Sequence, residues 1–502
     1  MNLSTLLDGV TVTKLFSMGF GKMVMTQDLE ICGIAYDSRK VNPGYLFVAI
    51  RGTTMDGHQF IDAALRNGAT AVMVEDDNVR NDAFFLHQGV PKIVVPDCRR
   101  ALARISTTYY GHPSQKLRLI GVTGTNGKTT TTHLLRSVVQ ESGQMVGMIG
   151  TVQHMIGNEV VSAAHTTPES LELNQLLAAM VRKGCSTAVM EVSSHALAMH
   201  RVDGLQFAAA VFTNLTQDHL DFHGSMENYC KTKRLLFDGL SDRSYAVINA
   251  DDPYGAVMVE GTRAQIMTYG ATRSANVRAD DISLDIHGVE FTVTHDGTSR
   301  RVSSALTGLF NTSNITAAYA TGLALEIPES TIVAGIANMG PVRGRFEQIP
   351  SPQGWTAIID YAHTPDALDN CLRAIRQLAS TRDGARVITV FGCGGNRDKG
   401  KRPIMGRIAS TLSDVTIITS DNPRHEDPLE IMREIRNGIV QGANVSSEVD
   451  RRKAIVMGLK RARPGDIVLI AGKGHEDYQV IGDSRLHFDD REEVERYIQA
   501  DV

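Results

Sequence analysis

Between Leu119 and Leu135 the chain reads LIGVTGTNGKTTTTHLL. An apolar run breaks into glycines and continues as a threonine-rich helix start, the order strand, phosphate loop, helix. Glycines let backbone N–H groups converge on an anion, and the helix N-terminus adds its positive dipole end. In that setting Lys128 reaches terminal phosphates and the Thr129 hydroxyl sits on Mg²⁺. Val122 stands where the first glycine of G-x-x-x-x-G-K-[ST] belongs, so the shorter G-x-x-G-K-T, Gly124 to Thr129, remains. The flanking strand and helix favour a phosphate loop over a glycine turn with a chance lysine. Two further stretches, Glu191-Val-Ser-Ser-His195 and Asn214-Leu-Thr-Gln-Asp218-His219-Leu-Asp221, follow apolar runs. Ligands of open α/β sheets bind beyond the carboxyl ends of the strands, which suits Glu191 and His219 to an Mg²⁺ or phosphate site. Histidine is a less usual ligand for so hard a cation, and a helix cap is the alternative for Glu191. Arg397, Arg424 and Glu476 also end apolar runs. Guanidinium forks pair carboxylates and a carboxylate attracts an ammonium, so the three suit an amino acid or a similar zwitterion. A triphosphate, a carboxylate acceptor and an amine are the ingredients of an ATP-dependent amide ligase, in which positioning and charge neutralisation do most of the work.

The elements that position these groups divide 502 residues into about three domains. Residues 1–110 hold strand-like runs at Leu46–Ile50 and Ala71–Val74 and a helical stretch at Phe60–Arg66, a small α/β domain. Asp37-Ser38-Arg39 and Gly52-Thr53-Thr54-Met55 are polar loops, either a ligand site or ordinary turns. His58 reads as structural. Gly111–Gln115 is a candidate linker. A central domain over 116–340 places buried strands at Thr187–Val192, Ala208–Asn214 and Tyr245–Asn249, antiparallel β over 275–303, and a helix opening at Gly308. A helix from Met226 to Leu240 carries Lys231, Lys233 and Arg234, which by themselves read as a solvated face. Residues 341–502 repeat strand, loop, helix, with strands at Trp355–Asp360, Val387–Phe391, Val415–Thr419 and Ile467–Ala471. Four polar strand ends describe one edge of a Rossmann-like sheet. The GCGGNRDKG loop is not a dinucleotide fingerprint.

Composition narrows the class. Apolar residues make up 42% and charged residues 21%, ample for several cores. A net charge of −5 argues against a nucleic-acid partner. No apolar run approaches a membrane span, and the N-terminus has no basic region before an apolar core. Six scattered cysteines without C-x-x-C fit reduced cytoplasmic thiols. A monomer is expected.

GVTGTNGKTTT, EVSSHAL, VFTNLTQDHLDFHG, GLFNTSN, GRFE, DYAHTPDAL, FGCGGNRDKGKRP, SDNPRHEDP and AGKGHEDYQ, in this order, resemble the Mur ligases of peptidoglycan synthesis. The nearest likeness is to the branch that adds the third peptide residue. The resemblance implies a uridine-binding N-terminal domain, a central mononucleotide-binding domain and a C-terminal Rossmann-like domain. It implies UDP-MurNAc-L-Ala-D-Glu at Tyr36, Ser38, Thr53, Thr54, Met55, His165, Thr166, Thr167, Ser193 and Arg201. ATP falls to Gly124, Thr125, Asn126, Gly127, Lys128, Thr129 and Thr130, with Asn311, Arg345, Asp360 and His363 around adenosine and phosphates. Catalysis falls to Lys128, Glu191, His219 and Lys233, and Mg²⁺ to Thr129, Glu191, His219 and Lys233. Lys233 stands where the family has a lysine carbamylated by CO₂ or bicarbonate, which reverses the solvated-face reading. Where relatives read Asn-Thr-Thr-Pro, this chain has His165-Thr166-Thr167-Pro168.

Arg397, Asp421, Asn422, Pro423, Arg424, Gly472 and Glu476 match positions that choose the amino acid. In similar enzymes Asp-Asn-Pro-Arg accompanies meso-diaminopimelate, whose second carboxylate Arg424 can fork. Lysine lacks that carboxylate, and a lost charge-assisted hydrogen bond costs roughly 1.5–3 kcal/mol, about ten- to a hundredfold. Three competitors follow. A lysine-adding ligase predicts no arginine at 424. Folylpolyglutamate synthase lacks the uridine domain. A nucleotide-binding scaffold without catalysis predicts loss of Lys128, Glu191 or Lys233, and all three are present.

Overall fold

The computed structural model describes residues 1–16, 18–19, 22–23, 29–52, 55–163, 165–382 and 384–500. The chain forms two compact units, one of residues 1–120 with 145–208 and one of 121–144 with 209–502.

In the first unit a five-stranded sheet runs in the order Lys14–Phe16, Lys92–Val94, Ala69–Val74, Tyr45–Val48, Gly33–Ala35. The last four are mutually parallel and the first is antiparallel. Their residues are almost all buried, as a parallel sheet covered on both faces demands. Leu46, Val48, Met73 and Ile93 pack toward one core, and Phe47, Val72, Val74 and Phe85 toward another. The expected helix is Ile61–Arg66, preceded by a 3-10 turn at Gly57–Phe60. His58 is buried as structural, its Nδ1 2.6 Å from Asp56 and its Nε2 accepting from the Glu75 amide. The Gly111–Gln115 segment is a packed turn in which Pro113 and Ser114 are buried. The same unit holds the strands Val146–Ile149 and Thr187–Glu191, paired in parallel, and the helix Ser170–Lys183.

In the second unit the residues after Gly121 finish the strand Arg118–Thr123 and enter the helix Lys128–Glu141. Parallel strands follow at Ala209–Phe212, Tyr245–Asn249 and Gln265–Gly270. Val277–Asp285, Gly288–His295 and Thr298–Ser304 form the antiparallel meander expected over 275–303. The helix Glu329–Ala337 lies so close to Lys128–Glu141 that a Cβ on Gly335 would stand 2.5 Å from the Val138 Cα. Ser137 Oγ donates to the Gly335 carbonyl across the same approach at 2.7 Å.

A six-stranded sheet closes the second unit, in the order Glu347–Pro350, Thr356–Asp360, Ile467–Ala471, Val387–Phe391, Val415–Ile418, Val445–Ser447. All but the first pair are parallel. Asp360 and Phe391 both register with Ala471, and Phe391 with Ile418. The loops that begin at Tyr361, Gly392, Thr419 and Gly472 therefore leave one edge of this sheet, as the sequence implies.

Candidate active site

The phosphate loop can be built only from glycine at its two ends. Gly124 has φ +151° and Gly127 φ +85°. A Cβ on Gly124 would meet Thr213 Oγ1 at 1.8 Å, and one on Gly127 would meet Asn314 Oδ1 at 2.3 Å. The loop is then pinned from the neighbouring strand end. The Thr125 amide donates to the Asn214 carbonyl and the Asn126 amide to Asn214 Oδ1, each at 2.8 Å. Thr213 Oγ1 donates to the Asn126 carbonyl at 2.6 Å. Asp366, at the start of the helix Pro365–Ser380, accepts from Asn126 Nδ2 at 2.7 Å and from Thr216 Oγ1 at 3.2 Å. Lys128 folds back to donate to the carbonyls of Gly124 and Thr125 at 2.9 and 2.7 Å. Thr129 and Thr130 open the helix, both buried. Pinned amides at a helix N-terminus with an adjacent lysine form a ready anion site.

Lys233 corrects the solvated-face reading of its helix. Lys231 lies on the exposed face and pairs with Glu227 four residues earlier. Lys233 is buried, donates to the Gly124 carbonyl at 2.8 Å and stands 4.5 Å from the centre of the Tyr229 ring. Among the described residues it forms no ion pair. Burial, reinforced by Lys128, pushes its amine well below the ordinary range. The physical reason is spacing: Tyr229, Lys233 and Phe237 share the inward stripe.

His219 sits in the left-handed region at φ +54°, its ring 3.2 Å from Asp218. Arg345 Nη2 donates to Thr129 Oγ1 at 3.0 Å, and its guanidinium lies 4.7 Å from the Tyr361 ring centre. Asp360 accepts from the amides of Phe346 and Ala362, so it fixes the two turns flanking Arg345 and His363. His363 bonds the Tyr361 carbonyl through Nδ1, and burial lowers its pKa. Asn311 is buried, donating to the Thr307 carbonyl and accepting from Asn314.

The described residues implied for the nucleotide-sugar peptide lie in the first unit, as does Glu191, implied for Mg²⁺. Glu191 is buried at its strand end and accepts from the Thr151 amide and hydroxyl at 2.8 and 2.9 Å. Thr166 Oγ1 lies 3.1 Å from that Thr151 hydroxyl. Thr167 Oγ1 donates to the Glu191 carbonyl, and Arg201 Nη1 donates to the Thr167 carbonyl. Ser193 caps the short helix Ser194–Ala198. The Tyr36 hydroxyl donates to Glu172 at 2.9 Å. Ser38 is buried in a 3-10 turn, while Met55 and His165 are exposed. Thr53 and Thr54 lie outside the described residues.

The loops of the C-terminal sheet bring the remaining group together. Asn422 Nδ2 donates to Glu476 at 2.8 Å, and buried Lys473 stands 3.5 Å from both Asp421 and Glu476. Burial and the neighbouring Asp421 raise the Glu476 carboxyl. Gly472 has φ +117° beside Asp421, where a Cβ would come 2.9 Å from Asp421 Oδ2. Arg424 is half-buried at φ +52°, and its Nη1 donates to the Gly395 carbonyl at 2.8 Å. Arg397 is exposed on the adjoining loop, and its Nη1 donates to its neighbour's carbonyl, that of Asn396, at 3.2 Å. Burial and Arg397 together lower the Arg424 pKa. The Arg424 guanidinium, with Arg397 beside it and the Asp421 and Glu476 carboxylates acting on it, suits a ligand with both signs of charge.

Family descriptions match three stretches in chain order. They are "Mur ligase family, catalytic domain" over 30–110, "Mur ligase middle domain" over 122–322 and "Mur ligase, glutamate ligase domain" over 344–474. A curated protein of Caldanaerobacter subterraneus subsp. tengcongensis, named UDP-N-acetylmuramoyl-L-alanyl-D-glutamate--2,6-diaminopimelate ligase, is 44% identical over 473 residues, 94% of this chain and 95% of its own length. A protein of the same name from Gloeobacter violaceus is 46% identical over 93% of this chain and 94% of its own. The chain belongs to the Mur ligase family.

A solved structure titled with that same ligase name aligns at a TM-score of 0.67 and 33% identity, covering 95% of this chain and 96% of its own. MurF ligase from Thermotoga maritima in complex with ADP shares the fold at a TM-score of 0.64 and 20% identity, with 95% and 100% covered. The α/β architecture with its three family regions is thus that of the Mur ligases. In this Mur ligase several site residues escaped the sequence reading. Asp366 follows Thr-Pro at a helix start and looks like a dipole carboxylate, yet it holds Asn126, 240 positions away. Lys473 gave no signal beyond its neighbours in Gly-Lys-Gly-His-Glu. Tyr229 could have been found from its helical spacing to Lys233.

Proposed function

We infer that this Mur ligase joins meso-2,6-diaminopimelate to the γ-carboxylate of D-Glu in UDP-MurNAc-L-Ala-D-Glu, with cleavage of ATP, in cytoplasmic peptidoglycan precursor synthesis. The observation that carries the choice of amino acid is Arg424. It is held over Gly395 with its guanidinium bonded to backbone carbonyls. Among the described residues it is in no ion pair, so the fork can take a substrate carboxylate directly. The names of the 42–46% identical relatives support the same choice.

The chemistry proceeds through an acyl phosphate. The γ-carboxylate oxygen attacks the γ-phosphorus and ADP leaves; the amine then attacks the acyl carbon, phosphate leaves, and the amine nitrogen gives up a proton. Gly124 to Thr130 cradle the phosphates, Lys128 turns from the loop carbonyls to them, and Arg345 adds a second cation from across the loop. Asn311, Asp360 and His363 shape the adenosine side. Tyr36, Ser38, Thr53, Thr54, Met55, His165, Thr166, Thr167, Ser193 and Arg201 hold the UDP-MurNAc-dipeptide. Arg397, Asp421, Asn422, Pro423, Arg424, Gly472 and Glu476 hold diaminopimelate. Mg²⁺, when bound, neutralises phosphate charge, and Thr129, Glu191, His219 and Lys233 as its carbamate are the residues that would hold it. The buried, depressed amine of Lys233 fits that modification, because CO₂ adds only to a neutral amine. The enzyme works as a monomer of three domains, 1–110, 116–340 and 341–502.

Phosphate release with ATP, Mg²⁺, bicarbonate and UDP-MurNAc-L-Ala-D-Glu tests this. Turnover is expected with meso-diaminopimelate and not with L-lysine. R424M should raise the KM for diaminopimelate by about ten- to a hundredfold, the worth of a charge-assisted bond. Turnover with lysine alone would overturn the specificity, and none with either amino acid would return the chain to the scaffold reading.

A further inference from the structure

Arg402 lies on the helix Lys401–Leu412 with no exposed surface. Its Nη1 donates to Glu434 at 2.7 Å and to Glu426 at 3.0 Å. Its Nη2 donates to Glu426 at 3.1 Å and to the Gly394 carbonyl at 3.2 Å. Glu426 in turn accepts from the Asn396 amide and is 3.3 Å from Lys399. The Arg402 guanidinium holds this carboxyl at about 2, so Glu426 is an anion at any working pH.

The place of Glu426 gives this cluster its meaning. It is two residues from Arg424, and the amide it grips belongs to the residue before Arg397. The two loops are zipped together around it. The Gly395 amide donates to the Asn422 carbonyl, and the His425 amide to Asn396 Oδ1. A Cβ on Gly395 would stand 1.9 Å from the Pro423 carbonyl oxygen. A fixed anion two residues from Arg424, bonded to the amide of the residue before Arg397, is a ready internal rival for a substrate carboxylate. Among the described residues, neither Arg424 nor Arg397 is ion-paired with it.

We propose that Arg402 is a positioning residue that sequesters Glu426, so that Arg424 and Arg397 stay open to the substrate's distal carboxylate. The idea rests on the assignment of these loops to diaminopimelate. Glu434 and Glu426 share one buried guanidinium, and Lys399 covers the exposed side. Without Arg402, Glu426 turns to the cation nearest in its own loop, and the amino acid must displace an intramolecular competitor. Such a competitor acts at high effective concentration, so it weakens binding without any change in the groups that touch substrate.

The test compares wild type with R402M, E426Q and R402M/E426Q in the full chain, with KM read separately for diaminopimelate and for ATP. R402M should raise the KM for diaminopimelate about tenfold or more and leave the KM for ATP within about twofold. E426Q alone removes the rival and should stay within about threefold of wild type. The double variant should return most of the affinity, because no carboxylate then competes. A structural role for Arg402 predicts the opposite: a double variant as poor as R402M. That outcome overturns the proposal, as does an R402M whose KM for ATP rises in parallel. If R402M fails to bind nucleotide, R402K and R402K/E426Q carry the same required ordering, since lysine keeps one cation but cannot hold both glutamates in a fork. Absence of wild-type turnover with diaminopimelate would instead sink the assignment of the enzyme itself.

Discussion

Replacing Lys233 by methionine separates what this side chain costs the fold from what it does for the reaction. In the wild-type protein the amine is buried against Gly124 and Tyr229 with no carboxylate in ion-pair reach among the described residues. Methionine fills a similar length. The lost hydrogen bond contributes about 0.5–1.5 kcal/mol, and the Gly124 carbonyl is not orphaned because Lys128 still donates to it. Loss of the ring contact costs about 0.5–2 kcal/mol. Against these stands relief of an under-partnered buried polar group, roughly 1–3 kcal/mol. The terms nearly cancel, so K233M should fold with stability close to wild type at neutral pH. The pH dependence has a definite sign. Burial lowers the folded pKa below the ordinary 10.5, so between the two values the unfolded chain binds more protons. Wild-type stability therefore rises with pH through that window. K233M compares best below it and falls behind wild type as pH approaches 10.5. Turnover should fall by about a hundredfold or more if the carbamate is required, the usual scale for removing one preorganised charge. Thermal melts at neutral and alkaline pH, paired with phosphate release in bicarbonate-depleted and bicarbonate-supplied buffer, give both answers. Wild type should lose and regain activity with bicarbonate, and K233M should ignore it. A folded K233M with wild-type turnover would refute the carbamate, and a variant destabilised by several kcal/mol would refute the electrostatic account.

Two other outcomes follow from the geometry. D366A strips a carboxylate from Asn126 and Thr216, a loss of about 1–3 kcal/mol, so the KM for ATP should rise roughly tenfold while that for the nucleotide-sugar peptide stays put; equal changes in both would contradict a local role. Glu426, held at about 2 against an ordinary 4.5, stabilises the fold above 4.5 and ceases to do so as pH falls toward 2. Acid unfolding followed by the fluorescence of Trp355, the sole tryptophan and buried in the core against the C-terminal sheet, should show a shallower pH dependence in E426Q.

Much of this architecture was legible because it is written in local pattern. The strands Tyr245–Asn249, Val387–Phe391 and Ile467–Ala471 fall where short apolar runs end in polar loops, since buried parallel strands need no alternation. The phosphate loop was legible because glycines with a lysine at a helix start have few other uses. Lys233 was half legible: its neighbours Lys231 and Arg234 suggest solvent, whereas its spacing from Tyr229 and Phe237 points inward. The partners of Asp366, Arg402 and Lys473 were not legible. They depend on side chains that meet only after the sheets form, and no spacing in the sequence encodes a bond between positions 126 and 366.

Arg345 belongs to one part of the molecule and acts in another. The Tyr361 amide donates to the Gly344 carbonyl, Glu347 pairs with Ile359, and a Cβ on Gly344 would stand 2.1 Å from the His475 amide nitrogen. Such interlocking ties the arginine's backbone to the C-terminal sheet, while its guanidinium rests on Thr129 of the phosphate loop. The loop thus borrows a cation it does not own. A fragment ending near residue 340 would keep every glycine and lysine of the loop yet lack that charge, and a single chain guarantees its delivery in a fixed ratio of one to one. In the proposed ATP site the arginine would be a built-in co-activator, with chain continuity doing the recruiting.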